Sequence, residues 1–166
     1  MLNDRMQKEL NEHINAEFWS AYLYLSMSVW FAGKNLHGFA NWMYVQFQEE
    51  QAHALKLLKY VQDRGGSVEL KPIAEVPAGW KSPSDAFLHT LHHEQKVTSL
   101  INALMGTAVE LKDYATQNLL GWFINEQIEE EATATEIYRT LSDVESKPGI
   151  LRMVDKEFKA RAYMPE

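Results

Sequence analysis

The sequence predicts an all-α protein, a four-helix bundle of the up-down-crossover type with a long connection between helices 2 and 3 and a short fifth helix at the C-terminus. Four long stretches repeat apolar residues at the three- and four-residue spacing of a helix. A segment rich in proline separates the second stretch from the third. No stretch shows the sustained alternation of apolar and polar residues that is typical of a half-buried strand.

The first two stretches predict a pair of long helices over residues 4–33 and 36–64. Gly33-Lys34-Asn35 ends the first helix, and Gly65-Gly66 ends the second, because glycine tolerates the left-handed conformation that closes many helices. The turn between them is short. Helices joined by a short turn pack as antiparallel neighbours, so we expect a helical hairpin.

The segment from Ser67 to Pro83 is predicted to be a crossover connection. Its prolines and glycine interrupt any helix; they are Pro72, Pro77, Gly79 and Pro83. Connections of this length are uncommon in compact domains unless they serve a purpose. In a four-helix bundle that purpose is to run along the bundle, so that the following helix starts at the opposite end.

The second half of the chain predicts three more helices. Ser84-Asp85 is expected to cap the third helix just after Pro83, and the fourth is expected from about Asp113 to Asp143. Pro148-Gly149 interrupts the pattern, and Ile150 to Ala160 is long enough for a short fifth helix. The other four helices already fill the positions of a four-helix bundle, so the apolar face of this fifth helix has no place in that bundle.

Composition limits the classes of function. A chain of 166 residues predicts one domain over 1–166, and its formal charge of −7 argues against nucleic acid as a partner. Cysteine is absent, which excludes disulfides, zinc ribbons and thiol nucleophiles. The start shows no signal-peptide pattern, and no apolar run is long enough to span a membrane. We therefore expect a cytoplasmic protein that does not bind membranes.

Each of the four apolar stripes carries polar residues near its middle. They are Glu17 on the first, Glu50 and His53 on the second, Glu94 on the third, and Gln127 and Glu130 on the fourth. Carboxylates that face an apolar core cannot all stay ionised unless a cation compensates them. Inward-facing Glu-x-x-His pairs supply ligands to dinuclear metal sites in helical bundles. Carboxylates with one imidazole suit iron or manganese, and zinc can also occupy such a site.

These residues resemble the ferroxidase site of ferritins, in particular of bacterial non-haem ferritins. The resemblance covers Glu17, the Glu50/His53 pair with Glu49 ahead of it, Glu94, and the run from Asn125 to Glu130, and it extends over essentially the whole chain. It implies a shell of 24 identical subunits that oxidises Fe(II) with dioxygen or peroxide and stores the ferric mineral inside.

The resemblance also implies a role for each ligand. Glu17, Glu50 and His53 correspond to the ligands of a first iron, and Glu50, Glu94 and Glu130 to those of a second. Gln127 lies at the edge of the site in this pattern, and Tyr24 corresponds to the tyrosine beside the two irons. Glu49, Glu126 and Glu129 correspond to a third iron site, with Glu130 bridging toward the centre.

Departures from related families narrow the expectation. Bacterioferritins carry a haem-binding Met where this chain has Gln51, and a second Glu-x-x-His where it has Gln127 and Glu130, so we expect no haem. Rubrerythrins need cysteines, and this chain has none. Animal ferritins place acids for iron entry in a stretch that corresponds to residues 114–118, where this chain has none.

Two other functions remain open from the sequence. One is a diiron oxidase that acts on an organic substrate instead of storing iron. The other is a helical structural or partner-binding protein whose buried acids are protonated. Iron titration separates them, because storage takes up far more than about three iron atoms per chain, an oxidase stops near two and a structural bundle takes none.

Overall fold

A computed structural model describes residues 1–165, which form five α-helices and contain no β-strand. In chain order they are α1 (Asp4–Gly33), α2 (His37–Asp63), α3 (Pro83–Glu110), α4 (Tyr114–Val144) and α5 (Pro148–Phe158). The chain divides into two compact units. The first contains Met1–Trp80 and the C-terminal residues from Ser146, and the second contains Lys81–Glu145. No helix in the described part of the chain is both long and apolar enough to cross a membrane.

In the first unit, α1 and α2 pack as the predicted hairpin. Asn35 takes the left-handed conformation at the turn (φ 57°), and its N–H reaches Ala32 O while that of Leu36 reaches Phe31 O. These two bonds satisfy carbonyl groups that the end of α1 would otherwise leave without a donor. The interior is apolar and nearly closed to solvent; its large side chains include Met6, Leu10, Ile14, Leu23, Met27, Phe31, Phe39, Met43 and Leu57.

The crossover segment lies along α1 and is held there by side chains of that helix. Asn11 donates to Ser67 O (2.9 Å) and accepts from Glu69 N (2.9 Å). Further along, Trp19 Nε1 donates to Glu75 O (3.3 Å) and Ser26 Oγ to Pro77 O (2.6 Å). A segment with this many prolines cannot satisfy its own backbone by forming a helix. Side chains of α1 do so instead, which confirms the prediction that the segment runs along a helix and does not turn at its end.

Two helix starts differ from the sequence prediction. The cap of α3 is Ser82, whose Oγ accepts from Asp85 N, while Asp85 Oδ2 accepts from Lys81 N. Ser84-Asp85 was the wrong choice of cap because Pro83 fits the first helical position, where no backbone N–H is needed. For the same reason α5 begins at Pro148 and not at Ile150.

In the second unit, α3 and α4 pack against each other. Asp113 caps α4, as its Oδ1 accepts from Thr116 N (3.2 Å) and its Oδ2 from Thr116 Oγ1 (2.8 Å). Glu145, just past the end of α4, accepts from Ser84 N in the first turn of α3 (3.0 Å). This contact ties the end of one helix to the start of the other, and the hydrogen bonds to Ser84 and Ser82 lower the pKa of Glu145 even though its partial burial acts to raise it.

A residue of α5, far from α2 along the sequence, caps the N-terminus of α2. The N-cap position of α2, Leu36, has no side chain that can accept a hydrogen bond. The buried carboxylate of Asp155 supplies the acceptor, because its Oδ1 lies 2.9 Å from both Gly38 N and Phe39 N. A Cβ at Gly38 would lie 1.5 Å from Asp155 O, so only glycine permits this approach. The negative charge at a helix N-terminus adds to the stabilisation.

Asp155→Ala is expected to lower the free energy of unfolding by about 3 kcal/mol, because it leaves two buried N–H groups without their charged acceptor. Gly38→Ala is expected to destabilise the protein as well, through the clash with Asp155. Urea unfolding followed by circular dichroism measures both. Glu157→Ala is the matched control, since it removes an exposed carboxylate from the same helix and should change stability by less than about 0.5 kcal/mol. Asp155→Ala behaving like this control would contradict the assignment.

Candidate metal centre

Three of the predicted ligands come together in the first unit. Glu17 lies on α1, and Glu50 and His53 lie one turn apart on α2. Each offers a ligand atom, and these atoms all lie within 4.8 Å of one another. The three residues are 1%, 3% and 6% exposed. A cation placed among them would meet two carboxylates and an imidazole with almost no competing solvent, which is a donor set suited to Fe(II).

The two carboxyl groups of this cluster differ in their affinity for a proton. Burial alone acts to raise the pKa of Glu17, but His13 beside it, together with Glu50 and His53, lowers that pKa to about 2. In Glu50 burial prevails, and the charge of Glu17 adds to it, so the pKa of Glu50 is raised well above its ordinary value despite the neighbouring His53. The two carboxyl groups of the cluster therefore differ in how readily each releases a proton. A cation that binds to Glu50 competes with a proton for that carboxyl group.

His13 is a member of this neighbourhood that the sequence analysis missed. Its Nε2 lies 2.8 Å from Glu17 Oε1, one turn earlier on α1, and the residue is 4% exposed. Within residues 1–165, no well-aligned hydrogen bond reaches this nitrogen or either carboxylate oxygen of Glu17. The four-residue spacing between His13 and Glu17 was the available signal, because residues at i and i+4 are neighbours on a helix.

Two more predicted site residues meet in the second unit. Glu94 on α3 is 1% exposed and Gln127 on α4 is 5% exposed. Gln127 Nε2 lies 3.1 Å from Glu94 Oε2 and 3.2 Å from Glu94 O, and it also lies within hydrogen-bond distance of Thr98 Oγ1 (3.3 Å). The amide therefore fixes the orientation of the Glu94 carboxyl group. Thr98 in turn donates to Glu131 (2.5 Å), which continues the polar network along α4.

The remaining predicted residues differ in exposure. Tyr24 is completely buried on α1, two turns after Glu17, where it shares the inner face of that helix. Glu130 and Glu126 on α4 are half-buried, whereas Glu129 is exposed. This gradient follows from the helical geometry, because consecutive residues project about a hundred degrees apart.

Glu49 has a partner that the sequence analysis did not foresee. Arg161, just beyond α5, donates from Nη2 to Glu49 Oε2 at 2.6 Å and also to Gln46. Its guanidinium lies over the ring of Trp42 at 4.5 Å from the centroid, and it also donates to Trp42 O. Stacking and several hydrogen bonds together hold this planar cation in place. A cation that uses Glu49 as a ligand therefore has to compete with Arg161.

Comparison with known proteins agrees with this geometry. The family model described as "Ferritin-like domain" matches residues 7–144. The bacterial non-heme ferritin of Bacteroides fragilis is 45% identical over 137 residues, covering 82% of this chain and 86% of the relative. That of Campylobacter jejuni is 41% identical over 132 residues, covering 80% of this chain and 79% of the relative.

Solved structures lead to the same family. An engineered closed form of Archaeoglobus fulgidus ferritin superposes with a TM-score of 0.97 at 44% identity, over 99% of this chain and all of that chain. A structure described as an open-pore ferritin from the same archaeon has a TM-score of 0.96 at 44% identity, over 98% of this chain. The predicted fold class, an all-α four-helix bundle with a long crossover and a short fifth helix, is confirmed by these matches. The chain belongs to the ferritin family.

Proposed function

We propose that this protein is an iron-storage ferritin that oxidises Fe(II) at a centre of two irons within each subunit. The observation that supports the proposal most directly is the buried group of Glu17, Glu50 and His53, in a chain whose relatives are named non-heme ferritins. Fe(II) is here the substrate and the stored cargo. Neither of the alternative functions accounts for the match of the whole chain to ferritin structures.

For this reaction the protein supplies ligands at fixed positions and the negative charges that stabilise the iron ions. Two Fe(II) ions lose one electron each, and dioxygen takes up these two electrons and two protons to become hydrogen peroxide; peroxide as the oxidant is reduced to water by the next two. Hard carboxylate ligands favour Fe(III) over Fe(II), which helps the electron transfer. The ferric product then hydrolyses and moves to the mineral.

We assign Glu17, Glu50 and His53 to the first iron, and Glu50, Glu94 and Glu130 to the second. The first assignment is supported by the closeness of the three side chains and the second by the family pattern. Gln127 orients Glu94 through its hydrogen bond. Tyr24 is assigned the position of the tyrosine that lies beside the two irons. Because the pKa of Glu50 is raised, Fe(II) competes with a proton for that carboxyl group as it binds.

Glu49, Glu126 and Glu129 form the proposed third iron site. On their helices they precede Glu50, Gln127 and Glu130 by one residue, so they project away from the axis of the first two irons. The ion pair between Glu49 and Arg161 makes this site the weakest of the three, since Fe(II) has to displace a guanidinium held at 2.6 Å. It would accept iron after the first two positions are filled.

The proposed assembly is a closed shell of 24 subunits with no haem, in the cytoplasm. Packing of α5 against α2 supports the role of α5 as a fixed part of the subunit surface. Large apolar side chains that stay exposed on α1 and α2, among them Val29, Tyr44 and Leu55, are the kind of surface that assembly buries.

Removing one ligand should stop rapid oxidation. We expect His53→Ala and Glu94→Ala each to slow Fe(II) oxidation by more than about 100-fold, because substitution of groups that merely orient a ligand already costs about 10- to 100-fold. Stopped-flow absorbance of ferric product measures the rate. His92→Ala and Glu12→Ala, which remove an exposed imidazole and an exposed carboxylate, should retain the original rate. A wild-type rate in either ligand variant would show that the site is misplaced.

The third site predicts a change in stoichiometry. Substituting Glu49, Glu126 and Glu129 together by Ala should leave the binding of two Fe(II) intact while the third is lost, and should alter how many Fe(II) are consumed per dioxygen. Anaerobic calorimetric titration counts the binding, and an oxygen electrode measures the ratio. If the three residues form only a solvated acidic surface, both quantities stay at their original values, apart from a slowing that salt screens.

Native mass tests the shell. We expect a species of 24 chains of 19.2 kDa each, and uptake of iron far beyond about three atoms per chain. Native mass spectrometry and light scattering measure the assembly across salt and protein concentration. A monomer or dimer as the only species would remove the storage function and favour an oxidase.

A further inference from the structure

We infer that His13 is a positioning residue that holds Glu17 ready for the first Fe(II). The inference rests on the proposed function and adds to it a residue outside the ligand set. Nothing in the Glu-x-x-His pattern of α2 requires a histidine on α1. The geometry that points to it is the short distance between Nε2 of His13 and Oε1 of Glu17, at 2.8 Å, in a part of the helix that is closed to solvent.

His13 and Glu17 are in contact in a buried part of the first unit, and Glu17 also lies beside Glu50. In the part of the chain that the structure describes, neither Nε2 of His13 nor either oxygen of Glu17 has a well-aligned hydrogen bond. A buried polar atom without a partner destabilises a protein by about 1–3 kcal/mol. An apolar side chain at position 13 would avoid that cost and would pack with the apolar neighbours Leu10 and Ile14. The histidine is therefore explained by what it does to Glu17, and not by packing.

His13 acts through Glu17 and not as a ligand of the same ion. The cluster whose ligand atoms lie within 4.8 Å of one another contains Glu17, Glu50 and His53, and it does not extend to His13. Glu17 thus has His13 beside it on its own helix and the two α2 residues as its neighbours in the cluster. An imidazole in contact with a ligand carboxylate restricts its rotamer before the metal arrives, which is how orienting groups raise metal affinity.

The restriction matters because Glu17 is the cluster residue that comes from a different helix. Glu50 and His53 are fixed relative to each other by one turn of α2, with His53 Nδ1 at 3.6 Å from Glu50 Oε2. Glu17 has three rotatable side-chain bonds and could turn away from the cluster when no cation is present. Ordering such a side chain costs about 1–2 kcal/mol of free energy. If His13 already orders the Glu17 side chain before the metal arrives, Fe(II) binds more tightly without any new bond to the metal.

The test compares three substitutions at position 13. His13→Leu and His13→Ala remove the imidazole that lies 2.8 Å from Glu17 Oε1, whereas His13→Gln keeps a polar N–H group at a similar reach. We expect the first two to weaken anaerobic Fe(II) binding at the first position about tenfold or more, and His13→Gln to stay within about threefold of the original affinity. At saturating Fe(II) the oxidation rate should be nearly unchanged, so that the effect appears in KM and not in kcat. His37→Leu, which removes an exposed imidazole from the first unit, is the control.

Two further measurements separate the possible roles. Co(II) serves as a spectroscopic probe of the same position, and its visible bands at saturation should be the same in His13→Gln and the original protein, because His13 is not bound to the metal. Thermal unfolding of the metal-free variants reports any structural damage independently of binding. If His13→Leu does not fold, His13→Ala supplies the comparison that lacks the imidazole, and His13→Gln supplies the one that keeps a polar N–H group.

The outcomes are distinct. Unchanged Fe(II) affinity in His13→Leu and His13→Ala would overturn the inference, and so would a loss of thermal stability with no loss of affinity. A shift of the Co(II) bands in His13→Gln would also overturn it, since that result makes His13 a ligand. Original protein that binds neither Fe(II) nor Co(II) at this position would instead refute the proposed function itself.

Discussion

The structure depends on one constraint, which is the burial of carboxyl groups inside an apolar helical core. Glu17, Glu50 and Glu94 are each at most 3% exposed, in positions where an aliphatic side chain would stabilise the fold more. Two features of the first unit reduce the cost of burying Glu17 and Glu50 together. Burial and the charge of Glu17 raise the pKa of Glu50, and His13 lies beside Glu17, whose own pKa is lowered to about 2. The same arrangement favours the binding of a cation, because a divalent ion compensates the negative charges of both carboxylates.

The C-terminal segment protects this arrangement by fixing α2. Asp155 caps the N-terminus of α2, and Arg161 is bound to the same helix at Trp42, Gln46 and Glu49. The three contacts of Arg161 follow one face of α2 and end one residue before the ligand Glu50. Contacts at the start and along the middle of α2 restrict its rotation about its axis, and with it the direction in which Glu50 and His53 project. The segment after α4 is thereby linked through α2 to the candidate metal site.

Much of the fold was predictable from the sequence, because it follows from local rules. The apolar spacing predicted α1 over residues 4–33, and the structure has it at Asp4–Gly33. The same is true of the Gly65 turn, where the left-handed conformation (φ 71°) favours glycine. The starts of α3 and α5 were placed two residues late, since Pro83 and Pro148 were taken as breaks outside the helix although proline suits the first helical position.

Two kinds of contact could not be predicted from the sequence. One joins residues that are far apart along the chain, and the other involves a residue that belongs to no recognisable motif. The ion pair of Arg161 with Glu49 spans 112 positions, and no periodicity in the sequence encodes it. His13 is different, because its four-residue distance from Glu17 was visible, but a histidine beside an apolar stripe carries no special pattern until burial is known. The consequence reaches the chemistry. In the proposed function the motif residues supply the atoms that bind Fe(II), and two of them, Glu17 and Glu49, are in contact with His13 and Arg161. Under that proposal the two neighbours affect affinity in opposite directions, since His13 orients its carboxylate toward the cation and Arg161 holds its carboxylate in a competing ion pair.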